Sequence, residues 1–377
     1  MPVASEEVFL SFLAEWFDPL PQLTRQYRLK YFEDSNEAEM VDVKTKRLFL
    51  KRSPCPESMT LKDFRIGAKI VLYGRELTLA EYGDEDTRKR LSPALVQTVL
   101  VINPQHFGDS GKLLDALLAS PSGAAAAPLT LARLRLFRLR GADARDVARA
   151  LAAAAAAPRD AADAIATALC HGPVLAAAVL GEGAVAKLSA AAARVSRDFA
   201  EKGEAAVWAA PDEKAAAALG DILFGRGAAR LAARATLDAC TCCVIKPHAV
   251  KAGHAGRILD HVLAQGYEVT ALDTVHLDRV SATEFFEVYQ GAVPEYKELV
   301  DHMITSPCIA MEVRAEDAVA TFRQTAGPWD VEMAKELRPG SLRALFGRDN
   351  VRSGVHCTEL PEDGVAECQY FFEVLQS

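Results

Sequence analysis

Two stretches of this chain follow one layout. Val99-Leu100-Val101-Ile102-Asn103-Pro104-Gln105-His106 parallels Cys243-Val244-Ile245-Lys246-Pro247-His248, an apolar run closed by one polar residue and a proline. His171-Gly172-Pro173-Val174-Leu175-Ala176 parallels Thr305-Ser306-Pro307-Cys308-Ile309-Ala310. Phe224 lies sixteen positions after Trp208, and Phe372 lies sixteen after His356. Repetition on this scale means two copies of one structural plan, which constrains the fold more than any local propensity. The copies differ where chemistry would sit: the later one has Lys246 and His356, the earlier one Asn103 and Trp208.

The repeat leaves an N-terminal remainder, so the 377 residues divide into three. Residues 1–92 are rich in aromatics and charges. Tyr27-Arg28-Leu29-Lys30-Tyr31, Glu39 to Val43 and Lys69 to Tyr73 alternate apolar and polar, as half-buried strands do. Arg47-Leu48-Phe49-Leu50-Lys51 is a shorter strand, and Asp34-Ser35-Asn36, Ser53-Pro54-Cys55-Pro56 and Tyr73-Gly74-Arg75 supply turns. A small β-rich domain is expected. Residues 93–232 shift to alanine, with runs at Ala124–Ala127 and Ala152–Ala157 and breaks at Pro121-Ser122-Gly123 and Pro158-Arg159-Asp160. Alanine forms helices well but offers little area to pack, so this copy is expected to keep its outline with few side-chain demands. Val99–Ile102 and Pro173–Leu180 read as its buried strands. Residues 238–377 return to mixed composition, with strands at Cys242–Ile245, Glu268–Leu277 and Cys308–Val313. Helices are expected at Gly256–Gln265, Thr283–Tyr289, Glu295–Met303, Ala315–Gln324 and Ala366–Leu375, with a long loop between Gly327 and His356.

A net charge of −8 without a long basic stripe argues against nucleic acid as a partner. The nearest basic group, Lys44, Lys46, Arg47, Lys51 and Arg52, reads as a solvated strand face with its turn; an acidic protein partner stays open. Glu6 and Glu7 precede any apolar run, opposite to a secretory leader, and the alanine stretches are too short to span a bilayer. Neither export nor a membrane is therefore expected. The eight cysteines are scattered and read as reduced thiols. Cys240-Thr241-Cys242-Cys243 with His248 fits no standard zinc spacing, and strand alternation puts these thiols on both faces, so no protein metal site is expected.

The third segment resembles the nucleoside diphosphate kinase family. The matching pieces are Val244-Ile245-Lys246-Pro247, Gly253 to Gly256, Pro307 to Met311, Arg323 with Ala326-Gly327-Pro328, Arg338 to Gly347, and Val355-His356-Cys357-Thr358-Glu359, in order across nearly the whole segment. Residues 1–92 resemble a DM-ten domain through Tyr27 to Tyr31, Phe49-Leu50-Lys51-Arg52, and Tyr73-Gly74-Arg75 followed by Tyr82, Asp84 and Thr87. The resemblance implies an α+β protein. A small PH-like β-rich domain (1–92) would precede two ferredoxin-like α/β sandwiches with antiparallel sheets, one at 93–232 without the catalytic histidine and one at 238–377 retaining it.

The family moves a γ-phosphoryl group between nucleotides through a phosphohistidine, and neutral imidazole suits the task as a good nucleophile near pH 7. The resemblance assigns His356 as nucleophile, Thr358 and Glu367 as the groups that hold its ring, and Lys246, Arg323, Arg343 and Ser353 to the nucleotide phosphates. Mg2+ would arrive with ATP or a nucleoside diphosphate and needs few protein ligands. No Gly-x-x-x-x-Gly-Lys loop is present, and the family uses none. Departures from the family pattern bear mainly on base and sugar. A tyrosine and a base-stacking phenylalanine align with Glu287 and Glu295, an asparagine with Ser353, a glycine with Cys357, and the phosphate-loop threonine has no match around Trp329-Asp330. In the second segment Asn103, Trp208 and Leu219 take the positions of the lysine, the histidine and the orienting carboxylate. No catalysis is expected there, only packing against the third segment.

With one site erased and one altered, the expected role is structural. The resemblance implies a doublet-microtubule-associated component of ciliary and flagellar axonemes with residual phosphohistidine chemistry; a working nucleoside diphosphate kinase is the alternative. It further implies tubulin and other doublet proteins as partners, and a cytoplasmic, cytoskeletal setting. The γ-tubulin complex, with the centrosome or basal body, is a second implied setting.

Overall fold

The computed structural model describes residues 8–18, 22–57, 59–91, 95–119, 129–153, 160–199, 205–225 and 227–376. The chain divides into two compact units, one of residues 1–95 with 276–286 and 300–306, the other of residues 96–275, 287–299 and 307–377. The first contains an antiparallel sheet of β1 (Leu10–Asp18), β2 (Leu23–Phe32), β3 (Glu37–Asp42), β4 (Leu48–Pro54), β5 (Lys69–Leu72) and β6 (Arg75–Tyr82), ordered β4-β3-β2-β1-β6-β5. Alternation sets the facing of β2: Tyr27, Leu29 and Tyr31 are buried and Arg28 is exposed. Tyr31 stacks on Phe64 at 4.0 Å inside this core. The basic group lies on β4 and the turn before it, where Asp42 accepts from the Thr45 amide and Arg52 pairs with Glu37, as a solvated strand face would. Neither β1 nor β6 was expected from alternation, and β1 is a central strand.

The second unit contains β7 (Val96–Ile102), β8 (Thr130–Phe137), β9 (Val174–Gly181), β10 (Val207–Ala209), β11 (Cys240–Ile245), β12 (Glu268–Val275), β13 (Cys308–Arg314) and β14 (Val355–Cys357). They form one antiparallel sheet ordered β10-β7-β9-β8-β12-β13-β11-β14. Each half, numbered within itself, reads fourth-first-third-second, the ferredoxin-like order, and the halves meet through their second strands, β8 and β12. The repeat in sequence is thus a repeat in topology. Trp208 faces Val101 across β10 and β7 as His356 faces Val244 across β14 and β11.

Strand pairing, side-chain bonds and helix packing join the halves. Arg135 on β8 and Asp273 on β12 make a buried bidentate ion pair, with bonds of 2.8 and 2.5 Å. The Thr274 hydroxyl accepts from the Leu134 amide at 2.8 Å and donates to its carbonyl at 3.1 Å. The helices Ser110–Leu118 and Ala255–Ala264 pack backbone to backbone, because a Cβ on Gly111 would lie 2.2 Å from the Asp260 nitrogen and one on Gly256 2.7 Å from the Asp115 nitrogen. One apolar core runs through both halves, from Leu100 and Leu114 to Ile245 and Ile258.

Several expected elements shift. The strand expected at Glu268–Leu277 ends at Val275 and is buried continuously from Val269 to Thr274. The helix expected at 283–289 runs Arg279–Phe285, started by the Asp278 carboxylate accepting from the Ser281 amide, and 287–289 is a single 3-10 turn. The helix expected from Ala315 begins at Ala318, because Asp317 takes a left-handed φ of 50°. The expected loop from Gly327 to His356 holds two helices, Val331–Leu337 and Leu342–Phe346, capped by Asp330 and Ser341. Ala124–Ala127, most of Ala152–Ala157, Pro121-Ser122-Gly123, Pro158-Arg159 and Glu6-Glu7 lie outside the described residues. No described helix is long and apolar enough to cross a membrane.

Candidate active site

β11 and β14 bring the third segment's chemistry together. His356, at the middle of β14 and 1% exposed, places Nε2 2.8 Å from the Glu367 carboxylate on the helix Gly364–Phe372. Thr358 donates its hydroxyl to the same Glu367 oxygen at 2.9 Å and accepts the Cys242 amide of β11 at 3.0 Å. Strand, hydroxyl, carboxylate and ring therefore form one chain of bonds, and each member fixes the next. An imidazole whose Nε2–H is held by a carboxylate offers its Nδ1 lone pair for attack. Burial pushes the neighbouring Cys357 thiol up to about 11, so it stays protonated and does not compete as a nucleophile.

Lys246 ends β11 and is 1% exposed; its ammonium donates to the Val351 carbonyl at 2.9 Å and to the Ser353 hydroxyl at 2.8 Å. Burial, with Arg343 as a like charge nearby, pulls it down from 10.5 to about 7. Arg343, on the helix Leu342–Phe346, is also buried and donates to the Gly327 carbonyl at 2.9 Å. Glu359 joins the arginines: Arg343 approaches one of its oxygens at 3.4 Å and the half-exposed Arg323 the other at 2.9 Å. Such a set of cations beside a histidine suits phosphoryl groups, whose transfer needs positioning and charge stabilisation above all. Ser353 lies against the lysine: its hydroxyl accepts from Lys246 and donates to the Val355 carbonyl, so it can position Lys246.

Three neighbours escaped sequence reasoning. Tyr289 lies edge-on to His356, with ring centroids 6.3 Å apart. Tyr289 ends the 3-10 turn at 287–289, two residues after Glu287. Trp329 packs against Tyr289 at 5.3 Å and over both Lys246 and Arg343. His248 accepts the Gly354 amide at 3.3 Å and so braces the residue two places before His356. Gly354, at φ 83°, is the backbone position that lets the chain enter β14 beside Phe346.

The second segment uses the corresponding positions for packing. Asn103 is fully buried, caps the turn by accepting the Gln105 amide, and donates to the Ala205 carbonyl. Trp208 and Leu219 belong to an apolar cluster with Leu169, Val147 and Phe224.

The cluster around His356 has three cations and a carboxylate already shared between two of them, so it fits a metal carried on nucleotide phosphates and offers no cage for a bare divalent ion. All eight cysteines are unpaired thiols. Among the described residues, donor atoms of Cys240, Cys368 and Glu312 lie within 4.8 Å of one another. The Glu312 carboxylate already accepts from the Thr236 and Leu237 amides and the Thr270 hydroxyl, which makes it a brace for the segment entering β11.

The sequence profile described as "Nucleoside diphosphate kinase" matches residues 239–376. The mouse protein named "Nucleoside diphosphate kinase homolog 7" is 35% identical over 97% of this chain and 93% of its own length. Its rat counterpart is 34% identical over the same shares. The "Nucleoside diphosphate kinase" of Aquifex aeolicus is 33% identical over 136 residues, 36% of this chain and 95% of the bacterial one. Kinases of this family use nucleotides with Mg2+. Likeness along nearly the full length, around a duplicated fold with a buried histidine held by a carboxylate, shows that the chain belongs to the nucleoside diphosphate kinase family, in the type of its seventh homologue.

Proposed function

We propose that the third segment accepts the γ-phosphoryl group of ATP on Nδ1 of His356 and passes it to a nucleoside diphosphate. The carrying observation is the bond from His356 Nε2 to Glu367, with Lys246, Arg343 and Arg323 gathered around the same pocket. In the first step the Nδ1–P bond forms and the bond from phosphorus to the ADP oxygen breaks. In the second, the terminal oxygen of the acceptor attacks phosphorus and the imidazole leaves. Glu367 holds the ring throughout, and the cations meet the charge on the transferring group. Mg2+, bound to the nucleotide, supplies further charge neutralisation. Steady-state rates over a grid of ATP and dTDP concentrations should give parallel double-reciprocal lines; intersecting lines, or equal turnover in His356→Ala, would sink the reading.

The persistence of a complete second fold around an erased site favours a second role for the whole chain. We infer a structural component of ciliary or flagellar axonemes, bound to doublet microtubules and neighbouring doublet proteins. The N-terminal sheet would serve as a DM-ten docking module, and a pool at the γ-tubulin complex of centrosomes or basal bodies goes with this reading. A net charge of −8 means that contact with acidic tubulin surfaces would depend on local basic patches and shape. In fractionated axonemes the protein should stay with doublets through low-salt washing. Release with the soluble matrix rejects the scaffold role.

A further inference from the structure

Trp329 occupies the space over the pocket's two buried cations. Its ring centroid lies 5.6 Å from the Lys246 ammonium and 5.4 Å from the Arg343 guanidinium carbon. Tyr289 supports the indole at 5.3 Å, and the same tyrosine lies against His356. Arg343 is 2% exposed, yet its Nε–H has no hydrogen-bond partner. A buried guanidinium with an unmet donor is costly, and the face of an indole compensates it only in part. A phosphate would satisfy it better, through short charge-assisted bonds. A phosphate bonded to these cations from the face that the indole covers would need the space the ring takes up, since its far oxygens reach about 5 Å from the donor.

We propose that Trp329 is a displaceable plug on the phosphate site: its indole covers Lys246 and Arg343 until a nucleotide's phosphates push it aside. The backbone on both flanks is pinned. The Gly327 carbonyl accepts from Arg343, a Cβ on Gly327 would strike the Ser341 hydroxyl at 2.3 Å, and Asp330 caps the next helix through the Met333 amide. Opening is therefore a rotation of the Trp329 side chain, not a movement of the loop. The plug sets a threshold on nucleotide affinity and keeps water and weak anions off the cations beside His356. It rests on the reading that these cations bind nucleotide phosphate.

The test is titration of the full chain with ADP and Mg2+ by calorimetry at pH 6, where Lys246 carries its charge, using wild type, Trp329→Ala and Trp329→Phe, with thermal unfolding of each as a folding control. Two cation–π contacts given up on binding correspond to about tenfold in affinity. Trp329→Ala should therefore bind ADP about tenfold more tightly than wild type, and Trp329→Phe should stay near wild type. Intrinsic fluorescence should change when wild type binds ADP and not when Trp329→Phe does, although Trp16 and Trp208 remain. Equal affinity in wild type and Trp329→Ala overturns the plug and leaves the phosphate-site reading standing. Weaker binding by a folded Trp329→Ala overturns it in favour of a supporting ring. Absence of binding in all three overturns both.

Discussion

Nucleotide binding at this site should draw a proton from solution. Lys246 is buried beside Arg343, and its ammonium titrates at about 7 where 10.5 is ordinary. Phosphate oxygens at bonding distance favour the charged form and restore the ordinary value. At pH 8 a group titrating at about 7 is protonated in about a tenth of molecules, and one restored to 10.5 in nearly all. Binding then takes up about 0.9 proton per nucleotide at pH 8 and about 0.1 at pH 6, where the lysine is already charged. Calorimetry of ADP with Mg2+ in buffers of different ionisation enthalpy gives this number as the slope of observed enthalpy on buffer enthalpy. Lys246→Met should bind more weakly and lose the uptake at pH 8. A zero slope for wild type at pH 8, or an unchanged slope in Lys246→Met, refutes the reasoning. The same shift has a sign for folding. Between about 7 and 10.5 the unfolded chain holds a proton that the folded chain lacks, so this group makes stability rise with pH across that window and leaves it flat below.

Glu367→Gln keeps the shape of the orienting group and removes its charge; rapid-quench measurement should show phosphohistidine formation slowed about 100-fold, with an unchanged circular dichroism spectrum. Asp273→Ala leaves Arg135 buried and unpaired, which should cost about 3–5 kcal/mol in the urea transition of the second unit. The pair Arg135→Met/Asp273→Leu should recover most of that, and a single variant as stable as wild type would deny the junction its role. Gly111→Ala drives a methyl into the Asp260 backbone and should destabilise by about 1–3 kcal/mol, read from the same titration. Trp208→His should add no labelled residue on incubation with ATP, since Asn103 and Leu219 supply neither cation nor orienting carboxylate.

What was legible in the sequence follows from what is local. The repeat, β2, β9 and β11 announced themselves by apolar pattern, and the helix ending at Ala264 by Gly266, whose φ is 84°. β1 was harder: Leu10, Ser11 and Phe12 are buried in succession, which blurs the period of two. The stretch after Gly327 read as loop because Pro328, Pro339 and Gly340 punctuate it, yet Asp330 and Ser341 are cap residues that start helices there. At the site, motif order led to His356, Lys246, Arg343 and Arg323, and contacts through Trp329, Tyr289 and Glu359 link them. The bond from Lys246 to the Ser353 hydroxyl could not be read from sequence, because side-chain direction depends on tertiary context. Tyr289 and Trp329 were hidden because nothing local says which way an aromatic in a turn or loop will point.

The most direct measurement is the position of the phosphoryl group after incubation with γ-labelled ATP and Mg2+. The bond from Nε2 to Glu367 predicts an acid-labile label on His356 alone, as the Nδ1-phosphoryl isomer, and none in His356→Ala. Label on Nε2, on another residue, or undiminished in His356→Ala would contradict it.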